Sequence, residues 1–237
     1  GVDRKASYRN GFDWNSGLKP QRRSWMVSAY TSAHASGASD VKLLRSQTAF
    51  NAALVESNYT KNAVTFIGRN LKHRFPISVG VNVKKRLTDR WGIETGLVYS
   101  YLESSGDLDA EYTYRYKQKI HYLGIPLNLS YSLYQNKRLD IYLQGGGMAE
   151  MALSAHGYTR IFNHGVFASD IDDKLPASGV LWSVGLGAGI SYDFVQNFGL
   201  YLEPGANYYF PNSNQPRSYR TDNPWSFNVR VGFRFKF

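Results

Sequence analysis

Apolar and polar residues alternate strictly over the last stretch of the chain, residues 225–237. Every odd position is apolar, whereas every even position is small, polar or cationic, as at Arg230, Arg234 and Lys236. A period of two residues is typical of a β-strand with one apolar and one polar face. The segment therefore predicts a long strand whose two faces meet different surroundings.

Seven earlier segments repeat this alternation, so we expect eight strands in all. They lie within residues 25–34, 77–84, 91–101, 121–133, 139–155, 180–192, 198–207 and 225–237. The connections between them alternate between long and short, and the long ones are residues 35–72, 104–117, 156–177 and 211–224. If the strands are antiparallel, three short turns share one end and four long connections share the other. Within the strands, Pro126 predicts a bulge, and the glycines at 145–147 predict a bulge or a close backbone approach.

Charge and composition narrow the class of protein. The 237 residues include 28 Lys and Arg, 18 Asp and Glu, and no Cys. This excludes a disulfide framework and a thiolate metal site. A basic chain suits anionic lipid, acidic sugars or nucleic acid, but no nucleic-acid-binding motif is present, so we expect no nucleic-acid partner. The sequence contains no run of about 18 apolar residues, which excludes a transmembrane helix and leaves a transmembrane barrel open.

Three features favour lipid over a protein core on the apolar face. The polar face is rich in Gly and Ser, as the narrow interior of an eight-stranded barrel requires. Aromatic residues such as Trp91, Tyr131, Tyr192 and Trp225 lie near strand ends, as in the aromatic girdles of membrane barrels. Short turns at one end and long loops at the other are typical of outer-membrane barrels. We therefore predict an all-β, eight-stranded, antiparallel up-and-down transmembrane β-barrel over residues 25–237, preceded by a polar lead-in or tether over residues 1–24.

Three motifs and the final strand resemble the outer-membrane β-barrel domains of Bacteroides-type bacteria, which are porin-like small barrels. The motifs are DRWGIETGL at residues 89–97, HYLGIPL at 121–127 and GLYLEPG at 199–205, and the final strand ends at Phe237. The resemblance covers residues 73–237 and implies an eight-stranded barrel in a Gram-negative outer membrane, without a settled activity. It also implies that Phe237 is the signal read by the barrel-assembly machinery.

Six ionisable residues fall on the polar face, where we expect an interior polar network. They are Lys84, Glu94, Glu150, Glu203, Arg230 and Arg234. One interpretation is a selectivity lining or a proton path. The favoured one is a set of interior salt bridges that fills a narrow barrel, with Arg230 and Arg234 as partners of Glu94 and Glu203.

No catalytic, cofactor or metal site is predicted. The five histidines lack the spacing of a helical metal site. Some small outer-membrane barrels are lipid-modifying enzymes that use Ser, His and an acid. Ser154 and His156 could be imagined in such a site, but the sequence does not fix their geometry.

The predicted function is that of a non-enzymatic integral outer-membrane protein with a closed polar interior. Its long extracellular loops would serve surface interaction or membrane stabilisation. The alternatives are a narrow porin-like channel for small solutes and a lipid-modifying enzyme. The expected partners of the monomeric protein are outer-membrane lipid, lipopolysaccharide, the assembly machinery and an extracellular ligand at the loops. Cations such as Lys42, Arg45 and Lys61 in the loop 35–72 could contact lipopolysaccharide phosphates, but a solvated charged loop is the favoured interpretation.

Overall fold

A computed structural model of the chain describes residues 24–35, 71–109, 112–212 and 214–237. Within these residues the protein has ten strands and one short helix. They are β1 (Trp25–Ala35), β2 (Lys72–His73), β3 (Ile77–Arg86), β4 (Trp91–Asp109), β5 (Tyr112–Gln135), β6 (Leu139–Asn163), β7 (Val166–Lys174), β8 (Val180–Val195), β9 (Phe198–Tyr209), α1 (Tyr219–Asp222) and β10 (Trp225–Lys236). The predicted lead-in over residues 1–24 lies outside the described residues except for Ser24, and so do residues 36–70 of the first long connection.

Eight of the strands close into an antiparallel ring in chain order, β1, β3, β4, β5, β6, β8, β9 and β10. The seam joins β1 to β10, where the Trp25 amide donates to the Phe237 carbonyl over 3.3 Å. β2 and β7 lie outside the ring as short partners of β4 and β6. Closure leaves the ring without an exposed edge. The predicted eight-stranded up-and-down barrel is thereby confirmed.

The two faces of each strand differ as the alternation predicts. On β3, Val79 and Val81 point outward and are at least half exposed, whereas Ser78 and Asn82 point inward and are buried. The outward positions of β10, from Trp225 to Phe235, and the adjoining Phe237 are likewise large, apolar and exposed. Below the end that carries the long connections, the wall therefore has an apolar exterior and a polar interior, the reverse of a water-soluble protein.

The strands extend much farther on the long-connection side than the sequence pattern indicated. β4 continues to Asp109 and pairs with β5 from Thr113 onward, and β6 and β7 occupy most of residues 156–177. The prediction that residues 104–117 and 156–177 are connections between strands is therefore wrong. In this extension the polarity of the faces is inverted. Tyr114, Tyr116 and Ile161 pack inside in an apolar cluster, whereas Arg115 and Lys117 are exposed outside. A hydrated wall needs polar residues outside, which explains why its alternation resembles a polar loop.

The bulge predicted at Pro126 is wrong. Pro126 pairs with Met148 in register, and the pairing of β5 with β4 passes this point without a shift. The register instead shifts where Tyr122 pairs with Ala152 and His121 with Ser154, so that Leu153 is an extra residue in β6. Beyond Leu153 the odd residues of β6 face inward, beginning with Ala155.

The glycines at 145–147 mark a close backbone approach and no bulge. All three pair in register with both β5 and β8. A Cβ on Gly146 would lie 2.2 Å from the Leu127 carbonyl oxygen, so a side chain there would force the strands apart. In the described residues, no helix is long and apolar enough to cross a membrane.

Candidate functional site

The interior carries a layer of charges near the short-turn end of the barrel. Arg230 Nη1 on β10 donates to Glu203 Oε1 on β9 over 2.9 Å, and the two residues face each other directly in the strand register. The Tyr142 hydroxyl donates to Glu203 Oε2 over 2.9 Å. Arg234 Nη2 in turn donates to the Tyr142 hydroxyl over 3.3 Å. One carboxylate thus organises two cations and a phenol, which is how a buried charge is compensated.

Glu94 and Lys84 complete this layer, but not as an ion pair. Glu94 Oε1 accepts hydrogen bonds from Asn82 Nδ2 over 2.8 Å and from Gln144 Nε2 over 3.2 Å. Lys84, its cross-strand partner, places its ammonium 4.8 Å from the centre of the Tyr142 ring. The tyrosine ring therefore shares in the stabilisation of a cation that burial would otherwise penalise.

A second charged site lies higher in the lumen, where the connection 210–224 folds into the barrel. Arg220 of α1 forms an ion pair with Glu150 of β6, and both side chains are almost completely buried. The Arg220 guanidinium lies 5.0 Å from the Tyr209 ring centre and 5.6 Å from that of Tyr122. Ser100 also donates to Glu150 over 3.3 Å. Arg220 of the last connection is thus the cation that pairs with Glu150, for which the sequence predicted no partner.

Neutral hydrogen bonds hold the same connection against the wall. Gln118 Nε2 on β5 donates to the Arg217 carbonyl over 2.7 Å. The Tyr122 hydroxyl donates to Gln215 Oε1 over 3.0 Å. Gln215 Nε2 donates to the Ser178 carbonyl, also over 3.0 Å. Because these contacts reach β5 and the segment before β8, the connection spans the opening of the barrel.

The C-terminal end of α1 is tied to β2 and, through His73, to β4. Asp222 Oδ2 lies 3.2 Å from His73 Nε2, whose other ring nitrogen lies 2.7 Å from the Ser104 hydroxyl. Arg217 donates to both oxygens of Asp222 over 3.0 Å. Burial alone would raise the pKa of Asp222, but the hydrogen bonds from His73 and Arg217 outweigh it and hold that pKa below its usual range.

Between the two charged sites lies a cavity of about 60 Å³, lined by Tyr30, His34, Gln144 and Arg230 among others. Its size suits a few water molecules and not a solute path. His34 Nδ1 and Gln144 Oε1 are buried there without a hydrogen-bond partner among the described atoms, and water is the group that would satisfy them.

The structure places all six predicted ionisable residues inside the barrel and pairs Arg230 with Glu203. Arg234 reaches Glu94 only through longer-range electrostatics, and its hydrogen bond is to Tyr142. Sequence reasoning missed Arg220, since no alternation surrounds it in its polar connection. It also missed Tyr142, although its even position on β6 predicts that it faces inward.

Phe237 lies at the barrel seam. Its side chain points outward and is about half exposed, while its backbone bonds to Trp25. Phe237 thus lies beside the lipid-facing aromatic residues, with its ring stacked near Phe235 at 6.2 Å between centres. The side chain makes no contribution to the lumen.

Ser154 and His156 point outward on β6, above the apolar band. His156 Nδ1 lies 3.7 Å from Asp172 Oδ1 on β7, and its ring stacks near Tyr158. Among the described residues, no hydrogen bond joins Ser154 to His156, so the arrangement needed to activate a serine is incomplete. The described residues also contain no cluster of three or more His, Cys, Asp or Glu that fits a metal ion.

Known proteins resemble this chain at the level of family and fold. A family model described as outer membrane protein beta-barrel domain matches residues 19–214. No curated protein sequence matches the chain. The matching solved structures include Neisserial surface protein A (14% identity, 90% of this chain and 97% of that one, TM-score 0.43). OprG from Pseudomonas aeruginosa (14% identity, 91% and 96%, TM-score 0.42) and Ail of Yersinia pestis (11% identity, 91% and 99%, TM-score 0.35) also match.

The family match spans most of the barrel, from before β1 to beyond β9. It confirms the predicted resemblance at the level of an outer-membrane barrel domain, whereas the Bacteroides-type branch stays a prediction. The apolar exterior of the ring agrees with the membrane location that this family has. The chain therefore belongs to the outer membrane protein β-barrel domain family and resides in the outer membrane of a Gram-negative bacterium.

Proposed function

We propose that this chain is a non-enzymatic outer-membrane barrel with a closed lumen, whose extracellular extension serves surface interaction or membrane stabilisation. The observation that carries the proposal is the buried ion pair between Arg220 and Glu150, which holds the last connection inside the lumen. Two layers of compensated charge and a cavity of about 60 Å³ between them leave little space for solute flow. Eight-stranded barrels generally fill their interior with side chains, which supports the same conclusion.

Conductance in planar lipid bilayers tests the closed lumen. The purified full chain, shown to be folded by a heat-dependent shift in gel mobility, should insert without steady ion currents at neutral pH. Steady unitary openings would overturn the closed lumen and favour the alternative of a narrow channel. A larger outer-membrane porin in the same bilayers is the positive control, since it establishes that insertion gives a measurable current.

The lipid-modifying alternative has one observation in its favour, the proximity of His156 to Asp172 on the outward face. Incubation of the folded protein with radiolabelled phospholipid or lipid A should release no acyl chain. If release occurs and is abolished by Ser154→Ala, the non-enzymatic proposal is wrong. The variant Ser169→Ala on β7 is a matched control, because it removes a hydroxyl from the same extension without touching this pair.

The proposed surroundings of the barrel follow from its exterior. Outer-membrane lipid would contact the apolar band, and lipopolysaccharide would surround the extracellular extension. We expect a monomer, since closure of the ring leaves no strand edge for a second copy. Sedimentation in a density-matched detergent would overturn this part of the proposal if it gave a dimer mass.

A further inference from the structure

The outward face of β5, β6 and β7 forms a cleft of about 500 Å³ just above the apolar band. Cations and aromatic rings line its floor, and carboxylates line one edge. The residues that matter are Arg115, Lys117, Lys119, Tyr158, Arg160 and Phe162, with Asp170 and Asp172 at the edge. No interior site uses these side chains, and the closed lumen does not depend on them.

Two cations of the floor, Arg115 and Lys119, lie against aromatic rings and not against carboxylates. The Arg115 guanidinium lies 5.1 Å from the Phe162 ring centre, and the Lys119 ammonium lies 6.0 Å from that of Tyr158. Within the described parts of the chain, neither side chain lies within 4 Å of a carboxylate oxygen, although Asp107 is the cross-strand partner of Arg115. Their charge is therefore available to an anion from outside.

Arg160 places a second positive charge beside that of Arg115, because the two residues are cross-strand partners. Like charges directly opposite each other are destabilising in a sheet. The pair is exposed, so the cost is small, but an anion bound between the two guanidinium groups would remove it. Arg side chains bind phosphate with two parallel hydrogen bonds, which makes a phosphate group the best match.

The carboxylates and rings point to a sugar rather than a bare phosphate. Asp170 is the cross-strand partner of Arg160, and Asp172 is the partner of Tyr158. Carboxylates accept hydrogen bonds from hydroxyl groups. The exposed ring of Tyr158 and the partly exposed ring of Phe162 offer flat apolar faces. They would also disfavour a uniformly anionic polymer, because Asp170 and Asp172 repel anions at the edge.

The position of the cleft selects the membrane as the source of that sugar. On β5 the outward residues change from Leu123 to His121 and then to Lys119, so cations follow lipid-facing residues on one strand. Lys119 lies roughly 13 Å along the strand from Leu123 at the usual rise per residue. Tyr99 donates to or accepts from His121 Nδ1 over 2.5 Å and forms an aromatic rim at this level. A headgroup anchored in the outer leaflet would lie beside this rim.

We infer that the cleft binds the phosphate-bearing saccharide headgroup of a glycolipid in the outer leaflet of the same membrane. Arg115, Lys117 and Arg160 bind the phosphate, Tyr158 and Phe162 contact the sugar ring, and Asp170 and Asp172 accept hydrogen bonds from its hydroxyls. The inference rests on the proposed function as a surface barrel, and it specifies a partner for its extracellular extension.

Calorimetric titration of the folded full chain in detergent with rough-type lipopolysaccharide tests the cleft. The double variant Arg115→Gln with Lys117→Gln should bind roughly 10- to 30-fold more weakly, since each cation near an anionic surface contributes about one fivefold step. The matched control is Lys137→Gln with Arg138→Gln, which removes one Lys and one Arg from a short turn at the other end. It should bind like the wild type.

Two further arms separate the sources of the anion. Dephosphorylated lipopolysaccharide should bind the wild type as weakly as the intact glycolipid binds the double variant. Phosphatidylglycerol, which lacks a saccharide of this kind, and heparin, a free sulfated polysaccharide, should bind weakly and without discrimination between the variants. Equal binding by the cleft variant and the turn control overturns the inference, and so does tight cleft-dependent binding of heparin or phosphatidylglycerol. If the first variant does not show the gel shift of a folded barrel, Lys117→Gln with Lys119→Gln takes its place.

The failure of this inference is distinguishable from failure of the closed lumen. The cleft variants should remain silent in planar bilayers, because the cleft lies outside the barrel. Loss of glycolipid binding without current supports both proposals. If the cleft variants bind glycolipid normally and give no current, only the proposal of the cleft is rejected. If the wild type gives steady current, only the proposal of a closed lumen is rejected.

Discussion

Arg220 of α1 and Glu150 of β6 form a buried ion pair although 70 positions separate them in the chain. The pair holds the last connection in the lumen, together with the hydrogen bonds that Gln118 and Tyr122 donate to it. Its cost in desolvation is offset by the mutual attraction and by the rings of Tyr122 and Tyr209. Removal of either residue should therefore be costly, because its partner is left as a buried charge.

Replacing Arg220 with Met should lower the free energy of unfolding by roughly 3–5 kcal/mol, because Glu150 is left as a buried charge without its cation. The measurement is urea unfolding in detergent, followed by tryptophan fluorescence. The double variant with Glu150→Met should lose less than the sum of the single variants. Arg217→Met is the control on the same connection, since its half-exposed pair with Asp222 should contribute about 1 kcal/mol or less. Equal losses for Arg220→Met and Arg217→Met would contradict the buried pair.

Two adjacent glycines should respond differently to the same substitution. Gly146→Ala should destabilise the barrel by about 1–3 kcal/mol or more, because its Cβ would lie 2.2 Å from the Leu127 carbonyl oxygen. Gly147→Ala should be tolerated, since the nearest atom to its Cβ is 3.4 Å away. The midpoint of the heat-dependent mobility shift reports both. Similar midpoints for the two variants would show that the strand spacing at Gly146 is not as tight as described.

Phe237→Ala should lower the yield of inserted barrel in cells but not the folding of the purified chain. The backbone of Phe237 keeps its bonds to Trp25 in the variant, so the seam survives. The lost side chain is the proposed signal for the assembly machinery. Phe233→Ala removes an equally exposed outward phenylalanine from the same strand and is the matched control. Unchanged insertion of Phe237→Ala, or an equal loss for both variants, would refute the proposed signal.

A lysine should be costly within the apolar band and harmless above it. Val231→Lys, midway along β10, should destabilise the folded barrel in lipid by roughly 2–4 kcal/mol. Val166→Lys, at the exposed tip of the hairpin of β6 and β7, should change stability little. Unfolding in lipid vesicles measures the difference between them. If Val166→Lys proves as costly as Val231→Lys, the tip lies in lipid and the boundary of the apolar band is wrong.

The contribution of Asp222 to stability should disappear in acid. Because the folded state lowers the pKa of Asp222, this contribution is present above the unfolded pKa and is lost as the pH falls through the folded pKa. At pH 7 the variant Asp222→Asn should be less stable than the wild type by roughly 1 kcal/mol. The two proteins should converge below the folded pKa. Asp109→Asn, which removes an exposed carboxylate at the end of β4, is the control for the loss of one negative charge.

All eight barrel strands were predictable from sequence, because an apolar exterior and a polar interior require apolar and polar residues to alternate along each strand. The inward position of Arg230 and the outward position of Phe233 both follow from that alternation. The partner of Arg230 was also predictable, since Glu203 shares the polar face of the preceding strand. These features depend on local periodicity and on the pairing of neighbouring strands.

The extension and the filling of the lumen were not predictable in the same way. Lys117 and Arg115 lie on the exposed face of a strand, but a pattern with charged exteriors and few aliphatic residues resembles a solvated connection. Arg220 depends on the path of an irregular segment back into the barrel, which no periodic pattern encodes. Its partner Glu150 was expected to be inside, and only the three-dimensional structure identifies the cation that compensates it.

Leu153 reverses the alternation of inward and outward residues along β6. Before Leu153, odd-numbered residues face the lipid. After it, odd-numbered residues face the interior of the hydrated extension. The shift occurs close to where β6 leaves β8 and pairs with β7. One inserted residue therefore lets the same strand present apolar residues outward in the lipid and polar residues outward in water. Deleting it would put the upper half of the strand out of phase, turning Ala155 and Ile161 toward water and His156 and Arg160 toward the interior. The membrane boundary is therefore encoded in the sequence of β6 in two ways. The composition of the outward face changes there, and so does the parity of the residues that face outward.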